Sequence, residues 1–146
     1  MEDKLDLSFC TATEAILKQP LASSYSELKL REVSPVALAY IGDAVFELYV
    51  RSRLLLPAKR IRDYHQQVVA NVKAEQQSVY VDRLTEHLSA EELDVLRRGR
   101  NATTGRSRRA DAKDYQKATG FEALIGFLYL SDRERMMSLL ALLTIG

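Results

Sequence analysis

Residues 36–50 constrain the fold more than any other stretch, because a helix built from them is apolar on every face except for two carboxylates, Asp43 and Glu47. A helix that is apolar all round lies in the interior of a protein. Charged side chains are rarely buried alone, so each carboxylate needs a cation, a metal ion or a hydrogen-bond donor. Arg51, four residues after Glu47, can serve that residue. Asp43 has no basic residue three or four positions away, so its partner must come from elsewhere in the fold.

A second carboxylate of the same kind, Glu122, stands at the head of the apolar run 121–130. None of the residues three or four positions from Glu122 is basic. Two unpartnered carboxylates on two apolar helices are explained if they face each other across a shared cation. The pattern alone leaves a second explanation open, in which each carboxylate meets an arginine from elsewhere or caps a helix end.

Start and stop signals divide most of the chain into helices, and no alternation of apolar and polar residues indicates a strand. Ser34 and Pro35 open the central helix, which is predicted to end near Leu55. Gly42 lies inside it and is interpreted as a contact point for another helix or for an RNA backbone. The later predictions are one or two helices over 59–84, a helix from the capping box Ser89/Glu92 to Arg98 that Gly99 ends, a helix over 115–130, and a helix over 131–143 capped by Ser131 with Glu134. We therefore predict an all-α helical bundle.

The chain is predicted to fold as a single domain over residues 31–146, preceded by an extension over residues 1–30. The extension is expected to hold one helix, opened by a capping box at Thr11 and Glu14, and then a loop over 21–29. The chain has a single cysteine, which suits a reducing compartment. Its N-terminus lacks a signal-peptide pattern, and no stretch is long and apolar enough to span a membrane. We expect a cytoplasmic protein with no membrane partner.

The positive charge is concentrated in residues 97–117, which hold eight Lys or Arg against two Asp, although the net charge of the whole chain is only +1. Residues 100–110 are polar and show no apolar periodicity, so a loop is predicted there. A basic loop is often no more than a solvated surface. Its position directly before the Glu122 helix favours another interpretation, in which it grips phosphates beside the carboxylates.

The segments that carry the acids also resemble a known family. Residues 39–47, Ala-Tyr-Ile-Gly-Asp-Ala-Val-Phe-Glu, resemble the signature helix of the ribonuclease III catalytic domain, and residues 121–126, Phe-Glu-Ala-Leu-Ile-Gly, resemble its second acidic helix. Residues 97–102, Arg-Arg-Gly-Arg-Asn-Ala, and 115–119, Tyr-Gln-Lys-Ala-Thr, are similar to the compact branch of that family, Mini-ribonuclease III, which lacks a double-stranded-RNA-binding domain. The resemblance runs from about Val33 to about Leu130.

The resemblance implies that residues 31–146 are a ribonuclease III-like catalytic domain that acts as a homodimer. It implies a Mg²⁺-dependent endoribonuclease that makes staggered cuts in double-stranded RNA and leaves 5′-phosphomonoesters. Asp43 and Glu122 would be both the catalytic and the metal-binding residues, and Glu47 would act at most through them. The substrate that the compact branch implies is the precursor of large-subunit (23S) ribosomal RNA, and a ribosomal protein as helper stays open. The RNA-binding residues predicted from the basic segment are Arg97, Arg98, Arg100, Asn101, Arg106, Arg108, Arg109 and Lys113.

Two departures from the larger enzymes of the family leave the number of metal ions open. Those enzymes carry further acids four residues before the signature aspartate and three residues before the second-helix glutamate, where this chain has Ala39 and Thr119. The missing acids favour an alternative, a non-catalytic double-stranded-RNA-binding protein on the same fold, whereas Asp43 and Glu122 favour an enzyme. An all-α metal-dependent nucleotide phosphohydrolase is a third candidate, and it does not account for the arginine-rich loop.

Overall fold

A computed structural model describes residues 27–102 and 111–146, which fold into α-helices and one short 3₁₀-helix. The α-helices, in chain order, are α1 (Glu27–Glu32), α2 (Pro35–Leu54), α3 (Ile61–Val72), α4 (Ala74–Leu84), α5 (Ala90–Ala102), α6 (Asp111–Ser131) and α7 (Arg133–Leu140), and the 3₁₀-helix at Thr85–His87 lies between α4 and α5. No strand occurs in these two ranges, so the prediction of an all-α bundle is confirmed. None of the described helices is both long and apolar enough to cross a membrane.

Helix α6 lies at the centre of the bundle and packs against α2, α4, α5 and α7. Its side chains from 118 to 128 are all buried except that of Glu122, which is half-buried. Three aromatic rings are fully buried, those of Phe46 in α2, Tyr80 in α4 and Phe121 in α6 itself, and Phe46 and Phe121 meet edge to face with centroids 4.8 Å apart. Edge-to-face contacts add to the stabilisation that burial provides. The core therefore forms where α2, α4 and α6 meet.

Helix α2 is enclosed by the described part of its own chain on one face only. One face is buried, with Leu38, Phe46 and Val50 in the core. The opposite face is open, and it includes Tyr40 at 83% and Leu48 at 66% exposure. The physical reason is that α6 occupies the centre, so α2 packs against it from one side only. The apolar sequence of α2 thus serves one buried face and one uncovered face.

Helices α2 and α6 cross where two glycines let their backbones touch. A β-carbon added to Gly42 would lie 2.6 Å from the carbonyl carbon of Glu122 and closer still to its oxygen. A β-carbon added to Gly126 would lie 2.9 Å from the carbonyl carbon of Leu38. Because these neighbours are backbone atoms that cannot move aside, only glycine fits on either side of the crossing. The prediction that Gly42 is a contact point for another helix is confirmed.

Two further boundaries agree with the predicted signals. Ser34 Oγ accepts a hydrogen bond from Val36 N at 3.2 Å, and α2 ends at Leu54, next to the predicted end. Segment 59–84 forms two helices, α3 and α4, because the extended backbone of Lys73 interrupts them. The alternative of two helices is therefore confirmed.

Helix α5 begins with the predicted capping box, because Ser89 N donates to Glu92 Oε1 at 2.9 Å and Glu92 N donates to Ser89 Oγ at 3.2 Å. Arg135 of α7 binds the same carboxylate through Nε and Nη2, at 3.0 and 2.9 Å. The predicted end at Gly99 is wrong, since the helix continues past it. Gly99 is instead a packing position, because a β-carbon there would lie 2.8 Å from Gly120 Cα of α6.

Helix α7 begins with a different cap from the predicted one. Ser131 belongs to the end of α6, where its hydroxyl donates to Phe127 O at 2.7 Å, so its prediction as the cap is wrong. Asp132 caps α7 instead, and its side chain accepts a hydrogen bond from Arg135 N at 3.1 Å. The carboxylate is the better acceptor here because the serine hydroxyl is already used within the preceding helix.

The described residues include only part of the predicted N-terminal extension. The helix predicted from Thr11 lies outside the described residues. The loop predicted over 21–29 is wrong at its end, because α1 begins at Glu27. Leu30 of α1 is buried in the core. The domain boundary between residues 30 and 31 therefore falls inside α1, and it stays a prediction.

Candidate active site

The crossing of α2 and α6 places the side chains of Asp43 and Glu122 next to each other. Gly42 directly precedes Asp43, and the backbone of Glu122 lies against Gly42, so the contact of the two backbones sets the positions of both acids. The carboxylate of Asp43 is near enough for its negative charge to raise the pKa of Glu122. Asp43 is exposed and Glu122 is half-buried. The two acids that the sequence singled out thus lie at one place on the surface.

Burial, and to a smaller extent the negative charge of Asp43, raises the pKa of Glu122 from 4.5 to about 7. Removing a carboxylate from water disfavours its charged form, and a second carboxylate nearby adds repulsion. A hydrogen bond from the Gln77 side chain acts in the opposite direction and lowers this pKa. A cation between the two carboxylates would relieve the repulsion and stabilise both charged forms.

The donor set fits a hard divalent cation such as Mg²⁺. Within the described ranges, no Lys, Arg or His forms an ion pair with Asp43 or Glu122. No cluster of three or more Asp, Glu, His or Cys that could hold a metal ion occurs there either. Mg²⁺ takes oxygen ligands, retains several waters, and uses one or two carboxylates when phosphate completes its coordination. Two adjacent carboxylates at the surface meet that requirement, and they do not form a closed structural metal site.

The positions of the two missing acids supply no further ligand. Ala39 and Thr119 are both buried. The Thr119 hydroxyl donates to Tyr115 O at 3.0 Å, within its own helix, and the methyl group of Ala39 has no donor atom. Asp43 and Glu122 are therefore the carboxylates that these two helices offer at the crossing.

Glu47 is partnered within its own helix, as predicted. Arg51 Nη2 lies 2.9 Å from Glu47 Oε1, and both side chains are more than one-third exposed. An exposed ion pair of this kind contributes little to stability. It nevertheless distinguishes Glu47 from Asp43, which stands one turn earlier without a basic neighbour.

Gln77 of α4 belongs to the site and was missed in the sequence analysis. Its side chain is only 1% exposed, its Nε2 donates to Val72 O at 3.0 Å, and its amide lowers the pKa of the Glu122 carboxyl group. Gln77 stands on the buried stripe of α4, in register with Tyr80 and Leu84. A polar residue inside an apolar stripe is the signal that could have revealed it, because buried polar groups require partners.

The predicted RNA-binding residues fall into two groups. The first lies at the end of α5 and the start of α6: Arg97, Arg98, Arg100, Asn101 and Lys113. The second lies between these helices, outside the described residues: Arg106, Arg108 and Arg109. The loop predicted over 100–110 is wrong at its beginning, because α5 continues to Ala102. Arg100 and Asn101 are therefore on a helix, where their backbone positions are set by α5.

Basic side chains from α5 and α6 line a common cavity of about 460 Å³. They are Arg97, Arg100 and Lys117, and Lys117 was counted in the basic segment but not among the predicted RNA-binding residues. Lys117 Nζ lies 2.9 Å from Asp82 Oδ1, and Arg97 Nη2 lies 2.5 Å from Asp94 Oδ1. Exposed ion pairs of this kind are weak, so phosphate oxygens can compete for the same cations.

Comparison with known proteins identifies relatives along most of the chain. The profile of a family described as Ribonuclease III domain matches residues 36–133, a segment that contains both Asp43 and Glu122. The chain is 54% identical over 114 residues to Mini-ribonuclease 3 of Synechocystis sp., which covers 78% of this chain and 80% of that protein. It is 36% identical over 143 residues to Mini-ribonuclease 3 of Thermoanaerobacter sp., which covers 96% of this chain and 94% of that protein.

A solved structure supports the same relationship at the level of the fold. The crystal structure of a protein from Fusobacterium nucleatum matches with a TM-score of 0.67 and 28% sequence identity. The match covers 77% of this chain and 89% of that chain. The helical arrangement described above is thus one that an experimentally solved chain also adopts.

Proposed function

Since this chain belongs to the ribonuclease III family and is an endoribonuclease, we propose that it cleaves double-stranded RNA with Mg²⁺ as cofactor and with Asp43 and Glu122 as catalytic residues. One observation carries the proposal. The two carboxylates meet at the crossing of α2 and α6, and no basic side chain in the described part of the chain neutralises them. A protein that only bound RNA would be weakened by negative charge facing a polyanion.

In this mechanism Asp43 and Glu122 hold the cation, and the packing of α2 against α6 fixes the spacing of these two ligands. When bound, a divalent cation supplies Lewis-acid activation of water and neutralises the charge that develops on the phosphate. Asp43 is exposed, so it is the ligand that solvent and phosphate reach first. Glu122 is half-buried, and the helix packing around it limits its movement.

Basic residues 97–117 hold the duplex near these acids. Double-stranded RNA is recognised mainly through phosphates and 2′-hydroxyls across its minor groove. Arg97, Arg100 and Lys117 line one cavity beside the end of α5, and Lys113 is exposed at the start of α6. Helix α6 runs from this basic surface to Glu122, so it connects the RNA-binding residues to the acidic pair.

We further propose that the substrate is a double-stranded part of the precursor of 23S ribosomal RNA. The support is the similarity to the compact branch of the family, and a ribosomal protein that presents this RNA is a partner to test. Incubation with a long RNA duplex and Mg²⁺, followed by sizing of the products, tests the activity itself. We expect shorter duplexes with 5′-phosphates, and no cleavage in EDTA or of a DNA duplex of the same sequence. RNA that is bound but stays intact would contradict the proposal and favour a non-catalytic RNA-binding protein.

We also propose a homodimer that forms through the open face of α2. This face carries a continuous stripe of exposed apolar residues: Ala37, Tyr40, Ile41, Ala44 and Leu48. Large contiguous apolar patches are rare on soluble monomers and usually mark a contact surface. A two-fold dimer would place the same stripe of both subunits against each other and cover it.

Replacement of Leu48 with Lys is expected to convert the dimer into a monomer, because a charge placed in the middle of the apolar stripe would be buried without a partner. Light scattering at micromolar concentration measures the mass of each protein. The matched control is Val79→Lys on α4, since Val79 is 43% exposed and lies on another helix. A monomeric wild-type protein, or a dimeric Leu48→Lys variant, would contradict the proposed interface.

Replacement of Arg100, Arg106, Arg108 and Arg109 with Ala is expected to weaken binding of duplex RNA and flatten its salt dependence. Each lost phosphate contact removes about 0.7 to 0.9 from the slope of log affinity against log salt, so four contacts remove about 3. Dissociation constants at several salt concentrations, measured in Ca²⁺ to suppress cleavage, give this slope directly.

The matched control has the same loss of charge at another surface. Its substitutions to Ala are at exposed positions of α2, α3, α4 and the connection before α3: Arg53, Arg60, Arg62 and Arg83. This variant is expected to keep most of the wild-type slope. If both variants lose the same amount, net charge and not the segment from 97 to 117 determines binding.

A further inference from the structure

The cavity beside the end of α5 has an apolar part as well as a basic one. It is enclosed by α5, by α6, and by the end of α4 with the 3₁₀-helix that follows it. Its uncharged lining consists of Val81, Thr85, Leu93 and Leu96. Its volume of about 460 Å³ lies within the range of about 300 to 1,000 Å³ that is usual for small-molecule sites.

The apolar part follows from the register of α5. Leu93 stands on the same face of that helix as Leu96, Arg97 and Arg100, because residues three, four and seven positions apart share a helix face. Leu96 is buried in the core and only borders the cavity, as does Val81 of α4. Leu93 is 38% exposed. An apolar side chain thus remains accessible inside a concave surface that is otherwise charged.

The charged part carries three cations, those of Arg97, Arg100 and Lys117, and one carboxylate, that of Asp82. Three positive charges against one negative charge attract an anionic group such as a phosphate. Lys117 Nζ lies 2.9 Å from Asp82 Oδ1, so a cation and an acceptor stand side by side. A carboxylate accepts hydrogen bonds from hydroxyl and amino groups. The cavity therefore offers a place for an anion next to a place for a hydrogen-bond donor.

A paired RNA duplex has no use for the apolar part of this cavity. Its bases are stacked on one another, and its accessible surface consists mainly of phosphates and 2′-hydroxyls. An unpaired nucleotide differs, because its base exposes a flat face that packs on apolar side chains and on arginine guanidinium planes. Its phosphate, its hydroxyls and its base match the cations, the carboxylate and the apolar lining of the cavity.

We propose that the cavity binds one unpaired nucleotide at the border of an RNA duplex, with the base against Leu93 and an arginine guanidinium and the phosphate at Lys117. The inference rests on the proposed function and narrows its substrate class to duplexes that are interrupted or ended by an unpaired residue. Leu93 is then a specificity-determining residue. A free nucleotide has the same chemistry, so the test separates these two sources.

The test compares RNA duplexes that share one sequence. One is fully paired, and the others carry a single unpaired nucleotide as a bulge, a 5′ overhang or a 3′ overhang. Dissociation constants are measured in Ca²⁺ to suppress cleavage. We expect at least one unpaired form to bind at least about fivefold more tightly than the paired duplex, which is the low end of what one stacked base contributes. An abasic residue at the same position should abolish this gain, since it keeps the phosphate and lacks the base.

Leu93→Asn removes the apolar contact and leaves every charge of the cavity in place. The quantity compared is the ratio of the dissociation constants for the paired and the unpaired duplex, because a general change in duplex affinity cancels from it. This ratio should fall to about 1 in the variant. The matched control is Leu142→Asn, the same change at another exposed leucine, and it should keep the wild-type ratio. If thermal unfolding shows that Leu93→Asn does not fold, Leu93→Ala is held to the same expectation.

Calorimetry with AMP and UMP examines the other source of the ligand. Neither is expected to bind more tightly than about 1 mM, because a free nucleotide lacks the high effective concentration that attachment to a bound duplex provides. Tighter binding of either one, with no gain from any unpaired residue, would assign the cavity to a free nucleotide and overturn the inference.

Three other results would also overturn the inference: no gain from any unpaired form, an abasic residue that keeps the gain, or a Leu93 variant with the wild-type ratio. All of these leave the proposed function intact as long as the paired duplex is cleaved in Mg²⁺. A wild-type protein that cleaves neither paired nor unpaired duplexes would overturn the proposed function itself.

Discussion

Replacement of Glu122 with Gln, or of Asp43 with Asn, is expected to reduce cleavage of duplex RNA at least about a thousandfold, which corresponds to about 4 kcal/mol of transition-state stabilisation. Each substitution removes a charge that holds the cation and barely changes the shape of the side chain. Binding of duplex RNA in Ca²⁺ is expected to remain, because the basic segment is untouched. Cleavage rates at saturating Mg²⁺ measure the effect, and a normal rate in either variant would contradict the shared-cation site.

Glu122→Gln is also expected to stabilise the metal-free protein at high pH. The folded protein keeps a proton on Glu122 up to a pKa of about 7, whereas the unfolded chain releases it near 4.5. The folded state therefore binds more protons between these values, and wild-type stability falls as the pH rises from 4.5 to 7, by up to about 3 kcal/mol. The variant lacks this ionisation, so its advantage should be absent below pH 4.5 and complete above pH 7.

Thermal unfolding in EDTA across this pH range provides the measurement. Glu47→Gln is the matched control, because Glu47 is ion-paired with Arg51 and lies on the same helix as Asp43. It should leave the pH dependence between 4.5 and 7 unchanged. A Glu122→Gln variant with the same pH profile as the wild type would show that burial and Asp43 do not hold a proton on this group.

Replacement of Gly42 with Ala is expected to destabilise the protein by at least about 3 kcal/mol, at the upper end of the range for overpacked sites. The added methyl group would lie 2.8 Å from Gly126 N and 2.6 Å from the carbonyl carbon of Glu122. Backbone atoms cannot rotate away as side chains do, so α2 and α6 would have to separate. We expect the unfolding temperature to fall by about 10 °C. We also expect the variant to lose cleavage while it is still folded, because the two acids move apart.

The direction of the change in stability distinguishes a close helix crossing from an ordinary helical glycine. Glycine inside a helix costs about 1 kcal/mol relative to alanine, so without the crossing the same substitution would stabilise the protein. Ala44→Gly, two residues further along the same helix and at an exposed position, is the converse control and should cost only about 1 kcal/mol. A higher unfolding temperature for Gly42→Ala would mean that the helices do not touch at this point.

Local signals in the sequence predicted the features that depend on neighbouring residues. The caps at Ser34 and at Ser89 with Glu92 were predictable because each needs only residues within three positions. Asp43 and Glu122, the proposed catalytic acids, could be singled out because neither has a basic residue one helical turn away. These inferences need no knowledge of which helices pack together.

Features that depend on distant residues were not predictable in this way. Gly99 resembled a helix end, but its packing partner Gly120 is far along the chain. Gln77 influences the pKa of Glu122 although the two residues stand on different helices. Residues 36–50 of α2 and 121–130 of α6 are both largely apolar, and nothing within either sequence indicates which is covered by its own chain. The structure resolves this, with α6 at the centre and α2 open on one face.

The glycine crossing of α2 and α6 is also the point about which the two helices can pivot. When two packed helices rock against each other, the displacement of an atom grows with its distance from the point about which they pivot. That point lies where the backbones touch, at Gly42 and Gly126, and Asp43 stands directly beside it. Heating therefore moves the ends of the two helices far more than it moves the gap between the acids. We therefore expect cleavage to be lost only when the helices part, at the temperature at which the domain melts.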